Sequence, residues 1–149
     1  MKLRTAIVGM VALVTASFAA APALATNPAQ DQIDAIIAEH GGVQISANEV
    51  SYDDGATILT VPTGRSVYAV GTCATNKFCA YSQNNLLGLK LSFSSCSASN
   101  STSSIAPVRS VANARSSGNV YAYNGSTIVL TVAAGSATNT TATITRLGC

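Results

Sequence analysis

FCAYSQNNLLGLKLSFSSC, residues 78–96, is the stretch of the chain that predicts its fold class. Two runs rich in strand-forming residues flank a polar Gln-Asn-Asn segment, and cysteines lie near the two ends, at Cys79 and Cys96. This pattern predicts a β-hairpin bounded by disulfide cysteines. The hairpin also carries a spaced triplet, in which an aromatic residue is followed after four residues by a large apolar one and, one residue further on, by glycine: Tyr81, Leu86 and Gly88.

Outward from this hairpin, the chain from Val43 onward is patterned for short strands. Apolar and polar residues alternate from Val43, and a turn at Asp53-Asp54-Gly55 joins residues 50–52 to residues 56–61 in a further hairpin. Other strands are predicted at 66–70, 108–111, 119–123, 127–132 and 141–145. The serine-rich residues 94–104 are expected to form a solvated loop between two halves of the domain. Regularly spaced short strands of this kind predict an all-β Greek-key sandwich.

A short helix is predicted ahead of the strands. Asn27 is a good N-cap and Pro28 suits the first helical position. Apolar residues then recur at helical spacing until a Gly-Gly pair stops the pattern: Ile33, Ile36 and Ile37. A helix of about a dozen residues is marginal by itself, so we expect it to pack on the β-domain.

Residues 1–25 have the form of a secretory signal peptide. Lys2 and Arg4 precede an apolar run, and Ala23-Leu24-Ala25 supplies a small-residue cleavage pattern. The alternative is a single membrane-spanning helix, but the run is short and no later segment is apolar enough to span a bilayer. The sequence thus predicts a secreted or cell-wall-associated protein with a signal peptide (1–25), a short acidic helical segment (26–42) and a β-sandwich domain (43–149).

All four cysteines lie in the part of the chain expected to be exported: Cys73, Cys79, Cys96 and Cys149. In an oxidising compartment, an even count favours two disulfides over metal ligation. Three pairings are possible and the sequence leaves them open. Cys73 and Cys79 can close a small loop of turn-forming residues, and Cys149 could then join the C-terminus to Cys96, which is the pairing we favour.

Charge is sparse and unevenly distributed. The six acidic residues, between Asp31 and Asp54, all precede the six basic residues that follow Lys2 and Arg4. An acidic N-terminal segment could dock on a basic β-domain and cover it; the alternative is a sparsely charged secreted protein in which the order of the few charges has no function. Because the basic residues are thinly scattered, nucleic-acid binding is not expected.

The residue inventory also argues against catalysis and metal chemistry. His40 is the single histidine and closes the predicted helix, where it suits the helix dipole. Asp53 and Asp54 are adjacent in a turn, so their carboxylates diverge and cannot act as a glycosidase pair. Residues 99–104, Ser-Asn-Ser-Thr-Ser-Ser, approach a crystallin-type calcium loop but contain no carboxylate. We therefore expect no enzymatic activity, cofactor or metal site, with weak calcium binding as a third-ranked alternative.

With these residues in view, the chain resembles a family of small secreted actinobacterial peptidase inhibitors with a βγ-crystallin-like fold. The resemblance rests on the signal peptide, on the Cys73-x5-Cys79 pair leading into Tyr81, and on the Tyr81/Leu86/Gly88 spacing; it covers roughly residues 43–96. Leu86 stands where the crystallin signature usually has an aromatic residue. The second close cysteine pair of the inhibitors is missing, since Cys96 and Cys149 are far apart in sequence.

The resemblance implies a non-enzymatic protein that binds an extracellular peptidase. The loop closed by Cys73 and Cys79 is the candidate contact site, with Lys77 and Phe78 as the side chains offered to a specificity pocket; the alternative is that this loop is only a structural staple. The rival hypothesis is a structural, cell-envelope-associated protein without inhibitory activity, and it is indicated by the low charge and the abundance of Ser, Thr and Ala. The oligomeric state is not predicted.

Overall fold

The computed structural model describes residues 27–63, 73–97 and 100–149. Within these residues it contains one α-helix, α1 (Pro28–His40), and the following strands: β1 (Val43–Ser46), β2 (Glu49–Tyr52), β3 (Thr57–Thr60), β4 (Phe78–Gln83), β5 (Leu87–Phe93), β6 (Asn100–Ser101), β7 (Ser110–Asn113), β8 (Val120–Asn124), β9 (Thr127–Val132), β10 (Ser136–Asn139) and β11 (Arg146–Gly148). The predicted strand at 66–70 and the predicted signal peptide (1–25) lie outside the described residues.

The described strands form two antiparallel sheets. The larger has the order β1-β2-β3-β5-β4-β7-β10, and the smaller has the order β6-β11-β8-β9. Buried residues of both sheets belong to one apolar cluster, which includes Leu59 and Phe93 from the larger sheet and Val120 and Leu147 from the smaller. The prediction of a mostly β protein with one short helix and two disulfides is confirmed. A βγ-crystallin Greek key stays a prediction.

Helix α1 forms where the sequence predicts it and adds to the same core. The Asn27 Oδ1 accepts a hydrogen bond from the Ala29 N–H at 3.2 Å and so caps the first turn. Ile33 is fully buried and Ile36 nearly so, both within the shared cluster. The helix is therefore held by apolar packing on the sheets rather than by its own propensity.

The hairpin β4–β5 shows why its glycine is needed. Asn85 and Leu86 have positive φ values of 60° and 61°, and Gly88 follows at 79°. The Ser82 Oγ accepts from the Leu89 N–H at 2.8 Å, so the turn folds back tightly over β4. A Cβ on residue 88 would overlap this hydroxyl, and glycine alone fits there without strain.

Ser110 of β7 stabilises the turn that contains Asn85 and Leu86, the two residues with positive φ. The Ser110 Oγ accepts from the Leu86 N–H at 3.0 Å and donates to the Gln83 carbonyl at 2.7 Å. These bonds satisfy the backbone of a turn that a bulky residue such as leucine adopts only when its surroundings require it. The turned Leu86 packs in a second small cluster with Tyr81 and the Cys73–Cys79 disulfide.

The two disulfides pair as favoured from the sequence, Cys73 with Cys79 and Cys96 with Cys149. The first closes a loop with a sequence separation of 6, the second one of 53. Strand β11 ends immediately before Cys149 and pairs with both β6 and β8. The second disulfide thus fixes the end of a central strand of the smaller sheet.

The predicted closing strand at 141–145 is wrong. Residues 136–139 instead form β10, paired with β7 in the larger sheet, and residues 146–148 form β11 in the smaller one. The segment between them crosses from one sheet to the other. The Thr140 N–H donates to the Arg109 carbonyl at 2.8 Å and the Thr145 N–H to the Tyr123 carbonyl at 2.7 Å, so its backbone bonds are divided between separate partners.

The serine-rich segment is also more structured than expected. Asn100 and Thr102 are buried, with exposed fractions of 7% and 0%, and residues 100–101 form strand β6. The Asn100 side-chain amide donates to the carbonyls of Ser95 and Ser97, and the Thr102 hydroxyl donates to the Ile144 carbonyl. Polar side chains can be buried here because each has a backbone partner.

Candidate functional site

The first candidate site is the disulfide-closed turn that precedes β4. The Lys77 N–H donates to the Ala74 carbonyl at 3.0 Å, which closes a tight turn, and Asn76 within it has a φ of 65°. Ala74, Thr75 and Asn76 are exposed, while Lys77 is partly buried. The turn is a short, covalently closed projection rather than an extended strand.

The base of this turn is fixed to the larger sheet. The Asn76 N–H donates to the Ala114 carbonyl at 2.9 Å, and the Ala114 N–H donates to the Lys77 carbonyl at 3.0 Å. These two bonds continue the pairing of β4 with β7 beyond its last register pair, Phe78 with Asn113. With the disulfide, they hold the turn in one conformation.

Phe78 is not available for contact with a peptidase. Its exposed fraction is 1%, and its ring stacks on Phe93 with the centroids 5.3 Å apart. The strand alternation of β4 places Phe78 and Ala80 in the main core, and Cys79 and Tyr81 in the second cluster. The sequence pattern correctly placed Phe78 at the start of a strand but did not tell which face of the sheet it occupies.

Lys77 has a basic neighbour on the adjoining strand. Burial lowers the pKa of Lys90 below its usual value, and the nearby Lys77 ammonium lowers it further, while Glu49 acts in the opposite direction. Lys90 pairs with Tyr81 across β4–β5 and with Thr60 across β3–β5. Lys77 therefore lies in the turn, and Lys90, opposite Tyr81 on the neighbouring strand, lies near enough for the two charges to interact; the Glu49 carboxylate offsets them in part.

A second candidate site is a cavity of about 240 Å³ between separate parts of the chain. The end of α1 contributes His40, the β2–β3 region contributes Tyr52 and Asp53, and the segment after β6 contributes three hydroxyls. Leu91 and Thr57 of the larger sheet complete the described lining. The three hydroxyl groups belong to Ser101, Ser103 and Ser104.

The Tyr52 hydroxyl is the unusual atom of this cavity. It is inaccessible to solvent, and the Ser104 hydroxyl is its polar neighbour. Burial raises the pKa of Tyr52, and the neighbouring Ser104 hydroxyl only partly opposes that effect.

Local backbone geometry fixes the carboxylate beside it. Asp53 and Asp54 have consecutive positive φ values of 50° and 52°, which are uncommon outside glycine. The Asp53 carbonyl accepts from the Ala56 N–H at 3.0 Å and closes this turn. Asp53 is exposed and lines the same cavity as Tyr52.

The cavity is not a preassembled catalytic triad. Among the described residues, no hydrogen bond joins His40 to a serine or to Asp53, and the nearest ionisable partner of the imidazole is the Glu39 carboxylate at 3.8 Å. The described part of the chain likewise contains no cluster of three His, Cys, Asp or Glu residues that could hold a metal ion. Ser99, the first position of the calcium-like loop, lies outside the described residues.

Sequence reasoning did not find this cavity as a site. It noted His40, the Asp53-Asp54 pair and residues 99–104 separately, and each by itself favoured an ordinary structural role. No local pattern could have joined them, because their positions span sixty-odd residues of chain. The only local signal in the sequence was the high frequency of serine and threonine after Cys96.

Comparisons of the chain with protein-family models, with curated proteins and with solved structures find no match. The family resemblance therefore depends on the residues quoted for it. In the described ranges, none of the helical segments is long and apolar enough to cross a membrane.

Proposed function

We propose that the chain is a secreted, non-enzymatic protein that binds and inhibits an extracellular peptidase through the turn closed by Cys73 and Cys79. The observation that carries the proposal is the rigid presentation of this turn, which has a disulfide across it and backbone bonds to Ala114 at its base. A partner that binds an already ordered turn loses little conformational entropy on association.

The chemistry of the contact differs from the one expected from sequence. Phe78 belongs to the core, so the surface offered to the peptidase consists of the exposed residues Ala74–Asn76 with Lys77, and Lys90 adds a second charge further along the neighbouring strand. Two neighbouring cations favour a peptidase with acidic residues around its cleft. Because the turn is tight, it would occupy the mouth of the cleft as a projection and would not lie through it as an extended substrate does.

The test is a titration of the oxidised chain from Thr26 to Cys149 against a panel of secreted metallo- and serine peptidases. We expect stoichiometric inhibition of at least one enzyme, weakened by Lys77→Glu and less strongly by Lys90→Ala. Arg109→Glu is the matched control for Lys77→Glu, because it reverses a charge at the end of β4 that lies opposite to the turn, where the Arg109 N–H donates to the Tyr81 carbonyl. If no enzyme is inhibited, or if Arg109→Glu weakens inhibition as much as Lys77→Glu, the proposal is wrong.

A second function, a structural protein of the cell envelope, is favoured by one feature of the smaller sheet. Strand β9 lies at the edge of that sheet, carries no charged residue, and leaves Ile128 and Val129 with exposed fractions of 51% and 37%. Most extracellular proteins protect such an edge with charge or proline, because its free backbone groups pair readily with another strand.

Cell fractionation separates the two functions, since an inhibitor should be free in the medium and an envelope protein should stay with the cells. Ile128→Lys places a charge on the unprotected edge and should release an envelope-associated protein or lower its assembly state in sedimentation. Ala74→Lys is the matched control, because Ala74 is exposed but lies in a turn outside both sheets. If Ile128→Lys leaves as much protein bound to the cells as before, the β9 edge is not what attaches it.

A further inference from the structure

The exposed large apolar side chains of the described residues all lie on two edge strands. Val43 and Ile45 of β1 have exposed fractions of 67% and 54%, and Ile128 and Val129 of β9 are the other two. Strand β1 ends the larger sheet and β9 ends the smaller one. Neither strand contains a charged residue. Each edge therefore combines apolar side chains with a row of backbone groups that no described strand pairs.

The two remaining edges differ from these. Strand β10, at the other end of the larger sheet, has the sequence Ser-Ala-Thr-Asn, and strand β6, at the other end of the smaller sheet, has only 2 residues. Neither offers a large apolar side chain to a new strand. On β10, Asn139 is also engaged already, because its side-chain amide donates to the Asn85 Oδ1 at 2.9 Å. Among the described strands, β1 and β9 are thus the two edges suited to pairing with another strand.

The surroundings of β1 are acidic. The Glu49 carboxylate accepts a hydrogen bond at 3.3 Å from a serine hydroxyl at the end of the strand. The Gln44 and Gln30 side chains exchange hydrogen bonds at 3.0 Å, and the same Gln30 amide donates to the Asp34 carboxylate at 2.8 Å. Lys90 opposes Glu49 in part, but it lies two strands further into the sheet. A strand that approaches the free side of β1 therefore meets a border of net negative charge.

The surroundings of β9 are basic. The Arg146 guanidinium lies over the Tyr123 ring, 4.0 Å from its centroid, and that tyrosine pairs with β9. Its Nε also donates to the Gly125 carbonyl, in the turn between β8 and β9. Arg115 lies at the opposite end of the β8–β9 pair, beside Gly118 and just ahead of β8. The four described strands of the smaller sheet contain no aspartate or glutamate, so these cations set the sign of the charge around β9.

These charges decide which edges suit one another. Pairing β1 with β1 of a second copy would bring carboxylates towards carboxylates, and pairing β9 with β9 would bring arginines towards arginines. Pairing β1 of one copy with β9 of the next brings opposite charges together. This arrangement also gives a role to the order of charges along the chain, in which all six acidic residues lie between Asp31 and Asp54 and β9 lies in the basic remainder.

We propose that β1 of one copy pairs with β9 of a second copy and so joins the larger sheet of one to the smaller sheet of the other. The contact uses two different surfaces, so assembly continues beyond two copies, as a ring or as an open chain. Because the envelope function also depends on the β9 edge, this pairing rests on that proposed function and names the partner of the edge, a second copy of the chain. The turn closed by Cys73 and Cys79 lies on neither edge strand, so peptidase binding is a separate contact.

The contact between any two copies is expected to be weak. Strand β1 has only 4 residues, and both strands have a bulge in their present pairing, at Ile45 in β1 and at Val129 in β9. A bulge bends a strand and shortens the stretch that can pair. Such a small interface is below the size of stable protein complexes, so we expect a dissociation constant on the order of 10⁻⁴ M.

Two single variants test the two edges separately. Ile45→Lys places a cation on β1, where it meets the arginines around β9, and Ile128→Glu places a carboxylate on β9, where it meets those around β1. In sedimentation up to millimolar concentration, the oxidised, unmodified chain should form species larger than a dimer, and each variant alone should stay monomeric. Ala74→Lys and Ala74→Glu are the matched controls, since they add the same charges in an exposed turn outside both sheets and should assemble like the unmodified chain.

Mixing the two variants tests whether unlike edges meet. Each variant keeps one unmodified edge of a different kind, so association should return in the mixture although neither variant associates alone. In nuclear magnetic resonance, unlabelled Ile45→Lys should shift the amide signals of residues 43–46 in ¹⁵N-labelled Ile128→Glu in a saturable manner. The same spectra show whether each variant is folded, and Val43→Lys and Val129→Glu test the same edges if one is not.

Three outcomes overturn the proposal. An unmodified chain that stays monomeric at millimolar concentration has no such contact; if it still stays with the cells and Ile128→Lys releases it, the envelope function holds and the partner of β9 is another molecule. Assembly of Ile45→Lys like the unmodified chain would mean that β9 pairs with itself. A mixture of the two variants that does not associate would exclude pairing between β1 and β9.

Discussion

Replacing Cys96 and Cys149 together by alanine tests how the C-terminus is held. Their disulfide links residues with a sequence separation of 53, and both cysteines are exposed, so little packing is lost with them. For a loop of this length, the chain-entropy relation gives a loss of about 4 kcal/mol in the free energy of unfolding at 25 °C. A domain of this size has a stability of only about 5–15 kcal/mol, so the effect is a large fraction of the total.

Loss of the Cys96–Cys149 disulfide should also have a local effect, on strand β11. Strand β11 ends next to Cys149, it is only three residues long, and it joins β6 to β8 through Arg146 and Leu147. Without the disulfide, these residues should fray more readily than the rest of the sheet. Hydrogen exchange at the amides of β11 should therefore accelerate by more than exchange at the amides of β4 and β5.

The assay is urea unfolding of the double variant beside the oxidised parent chain, with a second double variant, Cys73→Ala with Cys79→Ala, as the comparison. The shorter separation of 6 gives only about 2 kcal/mol from chain entropy. A loss below about 2 kcal/mol for the Cys96/Cys149 variant, at an unchanged m-value, would refute the reasoning. Uniform acceleration of exchange across both sheets would refute its local part.

Three further predictions concern the hairpin β4–β5. Gly88→Ala should lower the free energy of unfolding by about 1–3 kcal/mol in urea unfolding, because it adds a Cβ at a φ of 79° against the Ser82 hydroxyl; Gly135→Ala, which meets nothing at a φ of 69°, should lose less. Phe78→Ala should lower the free energy of unfolding by about 3–5 kcal/mol, whereas Lys77→Ala should change it by less than about 0.5 kcal/mol; equal effects would contradict the burial of Phe78. Burial raises the pKa of Tyr81 to about 12, above the ordinary value of 10.0. The unfolded chain then ionises first as pH rises, so stability should be constant below pH 10 and fall toward pH 12, and Tyr81→Phe should lessen that fall in denaturation measured across this range.

Much of the secondary structure could be predicted because its signals are local. The turn residues Asp53-Asp54-Gly55 mark a hairpin, and Asn27 with Pro28 marks the start of the helix. The strand prediction failed at residues 141–145, where alternating Thr and apolar residues suit a strand but the backbone bonds are divided between two sheets. Alternation records a preference for extended backbone and does not say whether a partner strand lies alongside.

The candidate sites depended on information of a different kind. Lys77 and the disulfide turn could be named from the spacing of Cys73 and Cys79, whereas the burial of Phe78 depends on which face of β4 meets the core. The cavity around Tyr52 could not be named at all, since it needs α1, the β2–β3 turn and the segment after β6 to meet.

The sequence by itself determined the β-rich class, the short capped helix, the tight hairpin at Gly88 and a pair of disulfides that its cysteine spacing favoured. Each of these depends on residues near one another in the chain, or on the chemistry of one residue type. Only the tertiary structure decided the order of the strands, the crossing at residues 140–145, the burial of Phe78 and the grouping of His40, Tyr52 and Ser104 around one cavity. These features arise when two sheets bury a common core, and contacts across that core join residues whose separation in sequence carries no signal of their proximity.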